Sequence, residues 1–482
     1  MAGVSGIGSG LDIDSIVAGM VAAERAPKET QLATLEKKTT TQITAVGALK
    51  GAISDFQTAL GALNKPELFQ ARSATSSKSD LVGVTASTAA GAGSYQLEVK
   101  SLASSSKVAL AAIPNTAEAP ARFTSGTFEV SLGVPGIPPE PNTNESFSVT
   151  IDENNNTLAG VRDAINSAGK DMGVSATIVT DEYGSRLVLS SSKTGAGRDI
   201  TVNATGTDEP GLIGLSVLNF DGTSGTGKDA RVLTSAQSAE LYVDGLKVVS
   251  ETNKVDGAIE GVTLDLKAKT VANEPLTIAV AEDKAGVKKQ IQSFVDSYNK
   301  LIGVINAQTK VTSVGEDKAP VAGALVGDAT ARTLLNTIRN ELVNVQGDGA
   351  LRALTDIGIT TQKDGTLAID SAKLDKAMAS NFGELSGLFT GDKGLAFRLD
   401  AKLKPYTETG GILEQRNKAM TETITKIDDQ KEALTRRITS LQERLYKQFN
   451  AMDLLVGQLS NTSSSLLASL ENLPWAASNS KK

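Results

Sequence analysis

Residues 424–445 read ITKIDDQKEALTRRITSLQERL, and their apolar side chains recur at intervals of three and four residues. One side of an α-helix repeats at this interval, so the run predicts a long helix with a coiled-coil or bundle seam. The alternation continues outward from residue 413 to 466, which predicts a helix about 80 Å long. The apolar members of this second seam are Leu413, Met420, Ile424, Ile427, Leu434, Ile438, Leu441, Leu445, Met452, Leu455, Leu459 and Leu466; its polar members are Asn417, Lys431, Gln448 and Thr462.

A first seam of the same kind lies near the N-terminus. Its members are Leu32, Leu35, Thr39, Gln42, Val46, Leu49, Ile53, Phe56, Leu60 and Leu63. A shorter helical stretch, residues 11–25, precedes it. We expect Pro27 to separate the two helices, because proline fits a first helical turn better than a helix interior.

Two interpretations of these seams stay open. In one, the terminal helices pack within their own chain; in the other, they assemble with helices of other subunits. Helices this long seldom find enough surface within one chain, which favours assembly, and buried polar positions would then set the register or the number of partners. We expect residues 1–40 and 440–482 to be mobile in the isolated subunit and ordered in an assembly.

The middle of the chain has a different periodicity. Residues 73–282 are rich in Gly, Ser, Thr and Asn, and their short apolar runs alternate with period two, which predicts antiparallel β structure. One helix, residues 158–168 with Thr157 as its N-cap, interrupts this region. The proline-rich residues 134–141 predict a loop. The clearest predicted strands are 95–100, 123–130, 147–151, 174–179, 186–189 and 240–243.

Helical periodicity returns at about residue 284, and Asp328 is expected to cap a further helix. The predicted fold class is therefore α+β, with long terminal helices forming coiled-coil or helix-bundle legs and antiparallel β-rich head domains inserted between them. The predicted division is residues 1–40 with 440–482, 41–72 with 283–439, 73–105 with 233–282, and 106–232.

Composition excludes several classes of function. The chain has 48 basic and 55 acidic residues, no cysteine and no histidine. A net charge of −7 disfavours a nucleic-acid binder. Disulfides, cysteine nucleophiles, Ser-His-Asp triads and ordinary zinc sites are ruled out. The sequence contains no run of about 20 apolar residues, so no membrane-spanning helix is predicted. The N-terminus lacks a secretory signal. We predict no enzyme activity, no cofactor and no metal site.

Two glycine-rich segments resemble nucleotide-binding loops. Residues 222–228 read GTSGTGK, but Asp229 replaces the Ser or Thr that a phosphate-binding loop requires for its metal ion. Residues 6–10 read GIGSG without a preceding strand. Both segments are interpreted as flexible loops.

The acidic residues and the single tryptophan are equally weak indications of a functional site. Asp152, Asn154 and Asn156 alternate as in a calcium loop, but the glycine and closing glutamate of that loop are missing, which favours a hairpin turn. Asp428 and Asp429 lie on the charged side of the second seam and are expected to be solvated. Trp475 is either a docking anchor or a half-buried end-packing residue.

Four stretches of this chain resemble the flagellar filament cap family, also called hook-associated protein 2, over essentially its whole length. They are the opening GIGSGLDID of residues 6–14 running on to 24–27; AELYVDG of 239–245 with GVTLDL of 261–266; LTDIGI of 354–359 with DGTLAID of 364–370; and LYKQF of 445–449 with 452–453 and 461–465. In addition, residues 157–190 resemble the small repeat found in flagellin and hook proteins.

The resemblance implies a structural assembly protein without catalysis. Members of this family are exported unfolded through the flagellar type III channel and sit at the distal filament tip as a small ring, usually described as five subunits. They retain flagellin there and help it fold into the filament. The implied partners are other copies of the chain, flagellin, hook–filament junction proteins and a cytoplasmic export chaperone. For some members, mucin or host glycans are further partners.

Two alternative functions stay open. The chain could be another axial protein, namely flagellin or a hook–filament junction protein, because these also pair terminal helices around a variable middle. It could also act primarily as a surface adhesin, although the middle region offers few aromatic residues for a binding patch.

Overall fold

The computed structural model describes residues 10–116, 119–133, 145–207, 209–313, 320–344 and 349–471. Several sequence predictions lie outside these residues: the loop at 134–141, most of the glycine-rich opening at 6–10, and Trp475 with the residues that follow it.

The chain divides into two compact units, residues 1–66 with 285–482 and residues 67–284. The helices of the described residues are α1 (Ile13–Leu63), α2 (Pro66–Gln70), α3 (Leu158–Ala168), α4 (Lys284–Thr309), α5 (Ala329–Val343), α6 (Ser371–Ser380), α7 (Phe382–Phe389), α8 (Leu395–Thr407) and α9 (Ile412–Glu471). The strands are β1 (Arg72–Ser76), β2 (Val82–Ala86), β3 (Gly93–Ser101), β4 (Ser105–Ala109), β5 (Gly126–Leu132), β6 (Glu145–Ile151), β7 (Val174–Asp181), β8 (Gly184–Thr194), β9 (Ile200–Gly206), β10 (Arg231–Thr234), β11 (Ala239–Val243), β12 (Leu246–Ser250), β13 (Lys254–Ile259), β14 (Val262–Leu266), β15 (Leu276–Glu282), β16 (Val311–Thr312), β17 (Val321–Ala322), β18 (Ile359–Thr361) and β19 (Leu367–Ile369).

These elements confirm the predicted fold class. Two long terminal helices, α1 of 51 residues and α9 of 60 residues, flank a region whose strands all pair antiparallel in their sheets. At 1.5 Å per residue, α9 is about 90 Å long. The division into four domains stays a prediction.

The expected break at Pro27 is wrong, because α1 runs through this residue without interruption. An interior proline removes one backbone hydrogen bond and costs about 3 kcal/mol. Packing on both sides of the proline offsets this cost. Ile13 and Val17 are buried with Leu445 before it, and Leu32 is buried after it.

The first unit is helical, and aromatic rings join its helices. Phe56 of α1 lies 5.6 Å from Phe294 of α4 between ring centroids, and Phe294 lies 6.3 Å from Phe389 of α7. The predicted stripe of α4 is confirmed as its buried face, which comprises Val287, Ile291, Phe294, Val295, Tyr298, Leu301, Ile302 and Ile305. Asp328 caps α5 as predicted, since its carboxylate accepts a hydrogen bond from the Ala331 amide.

The second unit contains two apolar cores. The sheet β1-β15-β3-β11-β12 and the sheet β13-β14-β2 surround one core, which includes Leu97, Leu241 and Leu264. The sheets β10-β4-β8-β7 and β6-β5-β9, with α3, surround the other. The bounds of α3 and its cap match the prediction, because the Thr157 hydroxyl accepts from the Gly160 amide at 3.1 Å.

Candidate functional site on the terminal helices

Helices α1 and α9 pack side by side in antiparallel orientation, because residue numbers rise along one as they fall along the other. Lys50 pairs with Glu414 at 3.4 Å, Glu36 pairs with Lys431 at 2.5 Å, and Glu24 pairs with Arg437. Beyond the last ion pair, Ile13 and Val17 of α1 pack on Leu445, with Leu441, Tyr446 and Phe449 partly buried beside them.

Within this pair, the first seam is largely buried inside its own chain. Of the two interpretations of the seams, packing within the chain therefore applies to α1, since the returning chain brings α9 alongside it. Leu35 differs from the other apolar members, as its side chain is 44% exposed. The buried members are Leu32, Val46, Leu49, Ile53, Phe56, Leu60 and Leu63.

The second seam has three levels of burial along α9. Leu413, Ile427, Ile438 and Leu445 are buried. Met420, Ile424, Leu434 and Leu441 are half-buried. Met452, Leu455, Leu459 and Leu466 are exposed, with Leu455 and Leu459 at 58% and 69%. The part of the seam that ends at residue 445 thus packs beside α1, whereas the part beyond residue 445 is exposed on the surface.

The exposed end of α9 carries more apolar residues than the seam periodicity indicated. We call the full set the α9 stripe: Met452, Leu454, Leu455, Val456, Leu459, Leu466, Leu467 and Leu470. Four of these residues, Leu454, Val456, Leu467 and Leu470, were not predicted from the sequence, because they lie next to seam positions instead of on them. Adjacent apolar pairs such as Leu454-Leu455 and Leu466-Leu467 were the available indication of a wider face.

The charge along α9 changes where the stripe begins. Residues 424–445 contain nine charged side chains, whereas residues 450–470 contain one, Asp453. This end of the helix spans about 30 Å. At about 100° per residue, seven of the eight stripe residues fall on one side of the helix, whereas Leu454 lies on the opposite side. The polar residues 460–465 interrupt the row between Leu459 and Leu466. A nearly neutral helix with an exposed apolar side is typical of a segment that packs against another protein surface.

A hydrogen bond joins the two helices where this end begins. Asp14, in the first turn of α1, accepts a hydrogen bond from Tyr446, and this contact raises the pKa of the Tyr446 phenol. The neighbouring Asp12 caps α1, and hydrogen bonds from Ser15 lower the pKa of its carboxyl. Polar contacts therefore fix the beginning of α1 at the base of the α9 stripe.

The glycine-rich residues 222–228 form no nucleotide site. A phosphate-binding loop requires a strand before it and a helix after it, but residues Leu215–Leu218 form a 3-10 turn and the strand β10 follows. The segment is instead held by the buried Arg186, whose guanidinium donates to the carbonyls of Gly227, Lys228 and Asp229. Asp181 pairs with Arg186 at 2.7 Å, so the buried charge is balanced.

The residues following β6 form a turn, but the predicted hairpin is wrong, because the turn leads into the helix α3 and not into a paired strand. The Asp152 carboxylate accepts from the Asn154 amide at 2.8 Å, and the Asn156 amide group donates to the carbonyl of Phe123. Across the described ranges, no group of three or more carboxylates is placed to hold a metal ion. None of the helices in those ranges is both long and apolar enough to cross a membrane.

Family comparisons match three segments of the chain. Residues 9–106 match the family described as flagellar hook-associated protein 2 N-terminus, and residues 236–461 match its C-terminus counterpart. Residues 142–193 match the flagellin hook IN motif, where the sequence resembled a flagellin and hook repeat.

Individual proteins agree with these matches. The chain is 48% identical to the B-type flagellar hook-associated protein 2 of Pseudomonas aeruginosa, over 99% of each chain. It is 47% identical to the A-type protein of Pseudomonas aeruginosa, over 98% of each. The crystal structure of the D1-D2-D3 domains of the flagellar cap protein FliD from Escherichia coli superposes with a TM-score of 0.60 at 28% identity, covering 78% of this chain and 99% of that one.

Proposed function

The chain belongs to the flagellar hook-associated protein 2 family, and on this premise we propose that it caps the distal tip of the bacterial flagellar filament. In this role it retains exported flagellin at the tip and promotes its folding and addition to the filament. This is a structural activity, and we assign no reaction to any residue.

The α9 stripe is the observation that carries this proposal. A cap must hold the filament end through contacts that form in the assembly, and the stripe offers an apolar face about 30 Å long with one charged residue in its segment. Helix-to-helix packing of such a face is driven by apolar burial. We propose that this face packs on helices of neighbouring subunits at the tip.

The proposed partners follow from this location. They are further copies of the chain in a ring, proposed to contain five subunits, together with flagellin and the hook–filament junction proteins. Export through the flagellar type III channel and a cytoplasmic chaperone belong to the same proposal. Binding of mucin or host glycans stays a prediction.

Electron microscopy of filaments from a strain lacking its cap tests the proposal. Adding the purified full-length chain should place density at distal tips and restore filament growth from added flagellin. The pure chain alone should stop at small rings. Polymerisation of the chain into long filaments would identify it as flagellin, and density confined to the hook end would identify a junction protein.

A further inference from the structure

The second unit consists of two lobes that are connected by a narrow, polar junction. Its two apolar cores share no residue in the described part of the chain. We call residues 67–103 with 238–284 the inner lobe and residues 105–236 the outer lobe. The chain crosses between them twice, and at the crossing Ser104 and Gln237 exchange two backbone hydrogen bonds of 3.0 and 3.1 Å. The covalent connection is therefore two chain segments joined by one β-bridge.

Side chains on both sides of this bridge confine the bending point of the junction. Asn253 clamps Ala103 to the inner lobe, because its side chain accepts from the Ala103 amide at 2.7 Å and donates to the Ala103 carbonyl at 2.9 Å. Asp199 of the outer lobe accepts a hydrogen bond from the Ala236 amide at 2.8 Å. Each connecting segment is thus fixed to one lobe, and a change in the angle between the lobes is concentrated at the bridge.

One loop of the outer lobe contacts the inner lobe directly. The Thr194 hydroxyl donates to the carbonyl of Glu251 at 2.6 Å, and the Arg198 guanidinium pairs with the carboxylate of the same residue at 2.6 Å. The Ala196 amide donates to the Ser238 hydroxyl at 3.0 Å. All three contacts extend from the same short loop to the inner lobe.

We propose that this loop, residues 194–198, is a latch that holds the two lobes at one angle and can open without unfolding either of them. The contacts of the latch are polar and partly exposed, since the side chains of Arg198 and Glu251 are 25% and 56% exposed. Water replaces such contacts readily, and exposed ion pairs contribute little to stability. The stability of each lobe comes from burial in its own apolar core, so the role of the latch lies in setting the angle.

The backbone of the latch fits this close approach. Gly195 is buried and has a φ of +112°, and a Cβ atom at this position would lie 3.0 Å from the Cβ of Glu251. A larger residue would be strained there and would push the loop away from the inner lobe. Arg198 also donates to the Thr194 carbonyl at 3.2 Å, which closes the loop on itself. This inference concerns the second unit and does not depend on the proposed function.

The absence of cysteine allows the angle between the lobes to be measured with spin labels. Ser167→Cys in α3 and Ala279→Cys in β15 introduce one label at an exposed position of each lobe. In the full-length chain, the distance between the two labels should have one narrow distribution. Removing the latch contacts with Thr194→Val and Arg198→Met should broaden this distribution about twofold or more, because further angles become populated.

A second variant opens the latch from the inner lobe. Glu251→Ala removes the carboxylate that Arg198 contacts, and it should also broaden the distribution. Exchanging the two charges, with Arg198→Glu and Glu251→Arg together, should restore most of the wild-type width, whereas Arg198→Glu alone should not. Circular dichroism of each variant measures whether the β structure is retained.

A matched control lies beside the latch. Lys193 pairs with Glu145 within the outer lobe, so Lys193→Met removes one positive charge without touching the inner lobe and should leave the distribution unchanged. The proposal is overturned if the latch variants keep the narrow distribution, if the charge exchange fails to restore it, or if Lys193→Met broadens it equally. Loss of the β signal in the latch variants would also overturn it, because the loop would then support the fold of the lobes instead of their angle.

Discussion

Phe56 of α1 and Tyr298 of α4 pack edge to face, with ring centroids 5.8 Å apart. Both side chains are fully buried, and the Tyr298 hydroxyl donates to the Gly365 carbonyl at 2.9 Å. The first seam therefore serves the interior of its own unit at this position, where it joins α1 to α4 and to the turn between β18 and β19.

Phe56→Ala should lower the free energy of unfolding of the helical unit by about 3–5 kcal/mol, because it leaves a cavity beside the rings of Phe294 and Tyr298. Urea unfolding followed by circular dichroism at 222 nm measures this change. Leu35→Ala is the matched control on the same seam, and its exposed side chain predicts a change within about 0.5 kcal/mol. Equal losses in the two variants would contradict the assignment of Phe56 to the core.

Burial raises the pKa of Tyr298 to about 12, from an ordinary value of 10.0. The neutral phenol is favoured in the fold, so its stabilisation is complete below pH 10 and is lost as the pH rises towards 12. We expect the wild-type chain to lose more stability over this interval than Tyr298→Phe. Titration followed by phenolate absorbance should show that the variant lacks the phenol that ionises last in the wild type. An unchanged titration would contradict the buried position of Tyr298.

The hydrogen bond from Arg416 of α9 holds the pKa of Asp328 below its ordinary value. The carboxylate therefore stabilises the fold above the unfolded pKa of about 4, and this contribution is lost as the pH falls through the lowered value. Asp328→Asn keeps an N-cap acceptor for α5 but removes the charge, and should cost about 1.5–3 kcal/mol at pH 7.

The cost of Asp328→Asn should shrink as the pH approaches 3, which urea unfolding at both pH values measures. Glu432→Gln is the control, because this exposed carboxylate pairs only within its own helix in the described structure; its loss should change the free energy of unfolding by no more than about 0.5 kcal/mol in either measurement. A cost that is equal at both pH values would assign the effect to the cap alone.

Sequence periodicity predicted the helices and strands of this chain better than it predicted which of them pack together. The apolar stripe of α4 and the caps at Thr157 and Asp328 depend on local spacing and side-chain hydrogen bonds, and all were predictable. The continuity of α1 through Pro27 was not, because packing of Ile13 and Val17 on α9 is a contact more than 400 residues distant in sequence.

The candidate site was predictable in part for the same reason. A heptad pattern indicates which side of a helix is apolar but not which other surface covers it. Leu445 and Leu459 lie two heptads apart and occupy equivalent positions in the seam, yet the first is buried beside α1 and the second is 69% exposed. The difference arises because α1 begins beside Leu445. The sequence alone does not show which residue of α9 lies beside the beginning of α1.

This difference allows packing within the chain to be separated from packing in the assembly. Leu441→Ser with Leu445→Ser alters the part of the seam that contacts α1. Truncating a buried leucine such as Leu445 costs about 2–5 kcal/mol, and the half-buried Leu441 adds to this loss. This variant should therefore loosen the packing at the beginning of α1 and impair assembly at the tip. Leu455→Ser with Leu459→Ser alters only the α9 stripe, and should leave the unfolding free energy within about 0.5 kcal/mol of the wild type.

The stripe variant should nonetheless fail as a cap if α9 packs on neighbouring subunits. In a cap-deficient strain complemented with Leu455→Ser, Leu459→Ser, we expect short filaments and excess flagellin monomer in the medium, because the exposed leucines supply the apolar area buried at the tip. Ser463→Ala with Ser464→Ala, in the same segment of α9, serves as the control and should support filaments of normal length. Normal filaments in the stripe variant, with wild-type amounts of secreted monomer, would show that this face is not used in the assembly.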